Sequence, residues 1–191
     1  MFSIAFRRGL GMRIARQAKG EPMEAYEAIR TRRSIREYTS QAVPDDLVQE
    51  LLAAGMSAPS SGDERPWHFI VVTMRRQLDA LAAVLPYGQM LKRAPLAIVV
   101  CGDLWLEQFE GNWTQDCSAA TQNLLLAAHA KGLGAVWVGV YPETDRIVGM
   151  RKLLHLPAHV IPLSVVSIGY PLRRKPPADR YDETRVHHNT W

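Results

Sequence analysis

The chain has little of what usually marks a class of protein at first sight. It has two cysteines among 191 residues, Cys101 and Cys117, without the number or spacing of a disulfide scaffold or a metal site. Both lie in apolar segments, which favours buried thiols in a reduced, cytoplasmic protein over a redox role. No apolar run reaches the roughly 18 residues that a membrane helix needs, so no membrane association is expected.

An excess of positive charge is also missing from most of the chain, although the net charge is +4. Residues 1–22 contain five arginine and lysine residues against Glu21 alone, so they account for the whole excess and residues 23–191 are neutral. A nucleic-acid module should carry its charge on the folded body, and is therefore disfavoured. We expect a basic N-terminal extension, residues 1–22, before a single domain, residues 23–191. An upstream start or an extra surface helix explains the extension better than a targeting peptide does.

What the sequence does contain is an alternation of helix and strand patterns. Helices are predicted over residues 23–29, 44–55, 75–84, 114–131 and 144–154, and strands over residues 67–73, 96–101, 135–140 and 160–168. This order predicts an α+β domain with a central sheet of about four strands and helices on both faces. The helix at 114–131 is apolar on nearly every side, which in so small a domain often means burial against a second subunit. The aromatic tail, residues 170–191, is expected to pack along a surface, for which the partner subunit is a candidate.

The first candidate binding segment is the arginine loop, residues 31–36, with the sequence Thr-Arg-Arg-Ser-Ile-Arg. Three guanidinium forks and a serine hydroxyl within six residues match the oxygens of a phosphate monoester. Most arginine-rich hexamers are instead solvated surface or nucleic-acid patches, so both interpretations stay open. Because the chain has neither a Rossmann glycine motif after a strand nor a P-loop motif, a phosphate would have to be held in another way.

Three further segments carry polar groups that suit a ligand. The serine loop, residues 58–67, offers two hydroxyls and an aspartate to a polyol or a heterocycle edge, although its composition is also that of a plain turn. Gly139 lies at the end of a predicted strand, where it either lets a flat ring approach the backbone or simply makes a tight strand exit. The basic tail segment, residues 173–175, either completes a phosphate clamp or is solvated.

Taken in order, these segments resemble the FMN-dependent nitroreductase family. The resemblance is carried by residues 32–36, by residues 58–61 ahead of 66–69, by residues 132–139, and by residues 169–171 with the basic tail. It extends from about residue 23 to residue 191. It implies a central, mainly antiparallel sheet of four to five strands, and a homodimer with two FMN sites at its interface and a C-terminal arm exchanged between subunits. It also implies NADH or NADPH as the reductant of the flavin.

Carried over by position, the resemblance assigns a role to each segment. The arginine loop is implied to hold the FMN phosphate and the ribityl chain or the pyrimidine edge, and the basic tail is implied to close the phosphate site. The serine loop reaches the flavin of the other subunit, and the backbone at the end of the strand contacts the flavin near the reactive N5. The residues implied to bind FMN are Arg32, Arg33, Ser34, Arg36, Pro59, Ser60, Ser61, Asp63, Gly139, Val140, Arg173 and Lys175.

Two departures from the family pattern concern the ring of the flavin. Many members carry asparagine where this chain has Asp63, and a carboxylate cannot donate a hydrogen bond to a flavin oxygen. Asp63 is therefore expected to turn away, to pair with Arg65, or to face substrate. Some members place a glutamate beside N5, where this chain has Gly139, so no acidic side chain is expected there.

The function implied is an FMN oxidoreductase that passes electrons from NAD(P)H to nitroaromatic, quinone or similar small acceptors by a ping-pong mechanism. No catalytic side chain and no metal ligand is assigned. The alternatives are a specialised member (a dehalogenase, a heterocycle dehydrogenase or a flavin-fragmenting enzyme) and a flavin-carrying protein without turnover. The segment between Gly102 and Trp113 is short, with Trp105, Phe109 and Trp113 as possible lid aromatics, and this favours an open, promiscuous site.

Overall fold

The structure is a computed structural model that describes residues 23–191. The predicted basic extension, residues 1–22, lies outside this range. The helices are α1 (Ala25–Thr31), α2 (Asp45–Met56), α3 (Arg75–Val84), α4 (Trp113–Ala130) and α5 (Thr144–Leu154). The strands are β1 (Trp67–Val72), β2 (Leu96–Asp103), β3 (Gly134–Gly139) and β4 (Val160–Gly169). Each predicted element is present, with its ends displaced by two residues at most.

The four strands form one sheet in the order β1-β2-β4-β3, and every neighbouring pair is antiparallel. Strand β2 lies inside the sheet and all of its residues are buried, as expected for a strand that is covered on both faces. At the outer edge of β3, Ser34 of the arginine loop forms a parallel bridge with Ala135. The predicted α+β class and the antiparallel sheet are confirmed.

Helices cover both faces of the sheet and create two apolar cores. On one face, α2 and α4 pack through Leu51 and Leu124 against Ile98 of β2. On the other face, α3 and α5 pack through Leu81 and Met150. Alternate residues of β2 point into the two cores because successive side chains of a strand point to opposite faces. Full burial of one such leucine or methionine contributes about 1.5–3 kcal/mol.

The two cysteines lie inside these cores as free thiols. The Cys117 thiol of α4 donates a hydrogen bond to the Cys101 carbonyl over 3.5 Å. Burial raises the pKa of Cys101 to about 12, and burial followed by the neighbouring Cys101 and Asp116 raises the pKa of Cys117 as well. The prediction that both cysteines are buried is confirmed.

The C-terminal arm, residues 172–191, is exposed along its whole length. Its start is fixed to the domain by a bridge between Tyr38 and Pro171 and by a hydrogen bond from the Leu172 N–H to the Glu37 carbonyl. Trp191 at the end of the arm is fully exposed. An exchange of the arm between subunits stays a prediction. Among the helices of residues 23–191, none has the length and apolar character needed to cross a membrane.

Candidate functional site

A cluster of cations gathers at the carboxyl end of α1. Arg32 follows this helix and lies close enough to Arg180 and Arg33 for both to lower its pKa, after the larger effect of burial. The Nε of Arg32 is buried and has no hydrogen-bond partner. The pKa of His129, at the end of α4, is lowered by burial and then by Arg174, Arg32 and Arg33. These positive charges lie close together around a buried N–H donor that has no partner. Such an arrangement suits the binding of an anion.

A cavity of about 530 Å³ opens beside this cluster, between α1, the end of α4 and the start of the arm. We call it the basic cavity. Its charged lining residues are Arg33, Arg174, Lys175 and Glu27. Lys175 was predicted from the sequence to close a phosphate site and is brought to the cavity. Arg173 is exposed and does not line it. Its neighbour Arg174 does. Arg174 lies within the predicted basic tail segment, but the family resemblance assigned the contact to Arg173 and Lys175, because nothing in the sequence tells which members of a basic triplet face a ligand.

The side chain of Arg33 connects the arginine loop to the arm. Its Nε donates to the Pro176 carbonyl over 3.1 Å, and its Nη2 donates to the Ala178 carbonyl over 3.2 Å. Its Nη1 donates to the Arg30 carbonyl over 3.0 Å. These bonds occupy much of the guanidinium fork, so Arg33 supplies charge to the basic cavity while it holds the arm in place.

From Arg33 the arginine loop runs along β3 toward a second cavity. The Ile35 N–H donates to the Ala135 carbonyl over 3.0 Å, and Ser34 bridges the same residue. The approach is close: a Cβ added at Gly134 would lie 2.7 Å from Cγ2 of Ile35. Because of this course, Arg33 and Ile35 line the basic cavity, whereas Arg36 lines the second one.

The second cavity, which we call the β3 cavity, has a volume of about 600 Å³. Its lining residues are Arg36, Glu37, Tyr87, Gln89, Met90, Val136, Trp137, Val138 and Gly139. A Cβ added at Gly139 would meet no atom within 4 Å, so the backbone at this end of β3 faces open space. Arg36 and Gly139, both predicted from the sequence, are thus brought together.

Tyr87 and Arg146 are two residues near Gly139 that were missed from the sequence. The Arg146 guanidinium of α5 lies 5.7 Å from the centre of the Tyr87 ring and donates to the Gly139 carbonyl over 3.1 Å. The ring of Tyr87 is 75% exposed. In the sequence, the signal that could have indicated Tyr87 is an aromatic residue directly before a glycine. Nothing in the local sequence of Arg146 indicates its contact with Gly139.

Val140 does not reach the β3 cavity. It is fully buried, and its N–H donates to the Leu163 carbonyl over 3.0 Å. The N–H of Tyr141 donates to the same carbonyl over 3.1 Å. Of the two backbone positions predicted at this end of β3, only Gly139 faces the cavity.

The serine loop lines neither cavity in the single chain. Pro59 is exposed. The hydroxyl oxygen of Ser60 accepts from the Arg65 N–H over 3.0 Å. The N–H of Ser61 donates to Oδ1 of Asp116 over 3.1 Å. The predicted contact between this loop and a flavin of the other subunit stays a prediction.

Asp63 pairs with Arg65, which is one of the three arrangements expected for it. The Arg65 guanidinium donates a hydrogen bond to each carboxylate oxygen of Asp63: Nε lies 2.7 Å from Oδ1, and Nη2 lies 2.6 Å from Oδ2. This hydrogen bonding lowers the pKa of Asp63. Both residues have positive φ angles, 57° and 47°, a backbone conformation that non-glycine residues adopt only when their surroundings hold it.

The three possible lid aromatics differ in position. Trp113 is 6% exposed and packs against Gly102 and the edge of Tyr141, so it anchors α4 and is no lid. Trp105 is exposed and stacks on His159 with 3.5 Å between ring centres. Phe109 is half-exposed, and its ring lies over Gly62 of the serine loop. Within residues 23–191 no group of three or more His, Cys, Asp or Glu side chains is arranged to hold a metal ion.

Comparisons with known proteins show the family and the fold of the chain. The chain matches the model of the Nitroreductase family over residues 29–86 and 74–170. A Methanothermobacter thermautotrophicus protein with the provisional name NADH dehydrogenase/NAD(P)H nitroreductase is 53% identical over 173 residues, 91% of each chain. The structure of an FMN-dependent nitroreductase from Clostridium difficile is 31% identical, with a TM-score of 0.81 and coverage of 87% of this chain and 99% of that one. A provisionally assigned nitroreductase from Desulfovibrio desulfuricans, solved in complex with FMN, is 34% identical, with a TM-score of 0.77 and coverage of 90% and 99%. The chain described here therefore belongs to the nitroreductase family.

Proposed function

We propose that this chain is an NAD(P)H-dependent FMN oxidoreductase that reduces nitroaromatic, quinone or similar small acceptors by a ping-pong mechanism. The observation that carries the proposal is the pair of neighbouring cavities along β3, joined by the arginine loop. Leu133, just before the strand, lines one cavity, and residues 136–139 line the other. From residue 133 to residue 139 the chain extends about 20 Å, so the two cavities together suit an extended molecule with a phosphate at one end and a flat ring at the other.

The phosphate end fits the basic cavity and the cations around it. Arg174 and Lys175 line the cavity, and Arg32, in the cluster beside it, has a buried Nε without a partner. A phosphate dianion would accept from these groups and relieve the repulsion that, after burial, lowers the pKa of Arg32. Arg173, exposed on the same stretch of the arm, is in reach of this end only after a local turn of the arm.

The ring end fits the β3 cavity. Gly139 leaves space for a flat ring to lie against the backbone, and Arg36 places a positive charge at the rim. Arg36 is the group that would stabilise negative charge at the pyrimidine edge of the ring. Arg146 donates a hydrogen bond to the Gly139 carbonyl and contacts the ring of Tyr87. It thereby fixes the position of two residues that line the cavity.

The chemistry supplied by bound FMN is the acceptance of a hydride from NADH or NADPH and the transfer of electrons to a second substrate. The residues described here bind, orient and charge-balance the cofactor. No carboxylate other than Glu37 lines the β3 cavity, and we assign no catalytic acid or base. The open site leaves room for two substrates to bind in turn, which is the basis of the ping-pong assignment.

A homodimer completes the proposed site. The outward side of α4 carries Ala119, Gln122, Leu126 and Ala130, which are only half-exposed and mostly apolar. The arm is exposed in the single chain and carries Tyr181 and Trp191, which are 76% and 100% exposed. Contact between two such surfaces would bury them and bring the serine loop, with Pro59, Ser60 and Ser61, to the partner's flavin. The free thiols suit a reducing, cytoplasmic compartment.

The proposal is tested with the visible spectrum of the protein loaded with FMN, recorded anaerobically before and after NADH or NADPH is added. The flavin bands are expected to bleach with the reductant and to return with a quinone or nitroaromatic acceptor. A flavin that binds but does not bleach would indicate a carrier without turnover. A protein that FMN cannot reconstitute would contradict the proposal.

Arg32→Ala is the matching variant for the phosphate end. It is expected to purify with little FMN and to bind it at least tenfold more weakly, since a charge-assisted hydrogen bond contributes about 1.5–3 kcal/mol. Arg76→Ala is the control, because this exposed arginine of α3 lines neither cavity. Full flavin occupancy in Arg32→Ala would show that Arg32 does not bind the phosphate.

A further inference from the structure

Two buried carboxyl groups meet beneath the serine loop. Glu64, in that loop, is 7% exposed, and Asp116, in the first turn of α4, is 5% exposed. Each has one oxygen that accepts hydrogen bonds. Oδ1 of Asp116 accepts from the Ser61 N–H over 3.1 Å and lies 3.4 Å from the Ser61 hydroxyl. Oε2 of Glu64 accepts from the N–H groups of Gln108 and Phe109 over 2.6 and 3.2 Å.

The remaining oxygens of the two groups have no donor. Oε1 of Glu64 and Oδ2 of Asp116 are buried and unpaired. Ser61 connects the two groups, because its carbonyl accepts from the Glu64 N–H over 3.0 Å and its own N–H donates to Asp116, and Glu64 lies close enough to Asp116 to raise the pKa of Asp116. Two ionised carboxylates in this arrangement would repel each other without compensation. A single proton between the two free oxygens satisfies both, because one carboxyl then donates to the other.

Within residues 23–191, neither carboxyl group forms an ion pair with a cation that could replace such a proton. From the serine loop, Arg65 is committed to Asp63 on the surface. From the segment after β2, Glu107 accepts from the Trp113 N–H. From α4 and β2, the nearby titratable groups are the uncharged thiols of Cys117 and Cys101. The pKa of Asp116 is raised by burial and also by Glu64, against the opposing effect of the Ser61 hydrogen bonds.

We propose that Glu64 and Asp116 share one proton, and that this pair fixes the serine loop to α4 and to the lid segment, residues 104–112. The contacts on either side of the pair give it this role. Asp116 holds Ser61, and Glu64 holds the backbone of Gln108 and Phe109. The lid segment also rests on the loop directly, since a Cβ added at Gly62 would lie 2.5 Å from the Phe109 ring. Glu64 and Asp116 are thus positioning residues.

The sharing of the proton does not depend on the flavin, whereas its effect on the flavin rests on the proposed function. Loss of the proton would charge both carboxyls and separate the loop from the lid segment. Because the pKa of Asp116 is raised in the folded state, the folded protein retains a proton that the unfolded chain releases. The contribution of the pair to stability is therefore complete below the unfolded pKa of 3.8 and is lost as pH rises through the folded pKa.

The test uses Glu64→Gln and Asp116→Asn, singly and together. In each single variant the amide NH₂ replaces the shared proton, while the amide oxygen keeps the backbone bonds of the original group. Where the wild-type pair holds its proton, each single variant is expected to have the wild-type Tm. As pH rises, each is expected to lack the fall in Tm that comes from the pair. The double variant turns two NH₂ groups toward each other and is expected to melt about 3–10 °C below either single one. Asp79→Asn, an exposed aspartate of α3, is the matched control and should leave the pH dependence as in wild type.

Two results would overturn the shared proton. One is a double variant as stable as the single variants, and the other is a wild-type pH dependence that survives in both of them. An infrared carbonyl band of a protonated acid, present in the wild type and absent from both single variants, would support it.

The positioning role is tested separately by the rate of FMN release. Asp116→Ala leaves Ser61 without its acceptor and is expected to release FMN at least tenfold faster, whereas Asp116→Asn restores the wild-type rate. Release from Asp116→Ala at the wild-type rate would overturn the positioning role and leave the shared proton intact. A wild-type protein that binds no FMN would refute the proposed function, while the Tm comparison, made on the flavin-free protein, would still decide whether the proton is shared.

Discussion

Two glycines of β3, Gly134 and Gly139, show how one residue type serves opposite purposes in the same strand. At Gly134 the missing side chain allows the arginine loop to approach, since a Cβ there would lie 2.7 Å from Ile35. At Gly139 the missing side chain leaves space that no atom of the chain fills within 4 Å. The first glycine therefore belongs to the fold, and the second belongs to the proposed flavin site.

Gly139→Ala separates these two roles. The added methyl group meets nothing in the protein, so the free energy of unfolding should change by no more than about 0.5 kcal/mol. The methyl group projects into the β3 cavity, and FMN affinity is expected to fall at least tenfold. Flavin titration and thermal melting of the same samples measure both effects.

Gly134→Ala gives the reciprocal result and serves as the comparison. Its methyl group collides with Ile35, so the fold should lose about 1–3 kcal/mol of stability by overpacking. An equal loss of FMN affinity in Gly139→Ala and Gly134→Ala, with equal stabilities, would contradict the distinction between these residues.

The elements follow from local patterns, whereas the site depends on contacts distant in sequence. Strand β2 was predicted from a continuous apolar run, and α4 from its long apolar sequence bounded by glycines. By contrast, the contact between Arg146 and Gly139 and the meeting of Glu64 with Asp116 join segments that no motif connects. The arginine loop and Gly139 are indicated by their residue types and then by the family resemblance, but the difference between Arg173 and Arg174 depends on the path of the arm.

Helix α4 is the element on which the larger core depends, and Leu124 lies at its centre. This side chain is fully buried, and it packs close to Gly55 of α2, where an added Cβ would lie 3.3 Å from it. Leu124→Ala is expected to lower the free energy of unfolding by about 2–5 kcal/mol. Chemical denaturation measures the loss.

Leu172→Ala is the control for this prediction, because it removes the same atoms from a side chain that is 58% exposed. It should cost no more than about 0.5 kcal/mol in a single chain. Similar losses in Leu124→Ala and Leu172→Ala would mean that α4 is not packed as described.

At the scale of the whole molecule, the single chain has unmatched surfaces in three places. The outward side of α4 is apolar, the arm is exposed from residue 172 onward, and the serine loop lines neither cavity of its own chain. A second copy related by a two-fold axis would cover the outward side of α4 and the arm, and it would place the serine loop beside the partner's ligand. The three observations therefore lead to one prediction about assembly.

Leu126→Glu tests this assembly, because it places a charge on the outward side of α4. A charge buried at an interface without a partner is strongly destabilising, so the variant is expected to be monomeric in sedimentation and to retain less FMN. Val148→Glu is the control, since Val148 is 59% exposed on α5, at the other face of the sheet, and should leave assembly unchanged. If Leu126→Glu remains a dimer with full flavin, α4 does not form the interface. If it becomes a monomer that still binds FMN with wild-type affinity, the partner's serine loop contributes nothing to the site, and each chain holds its flavin alone.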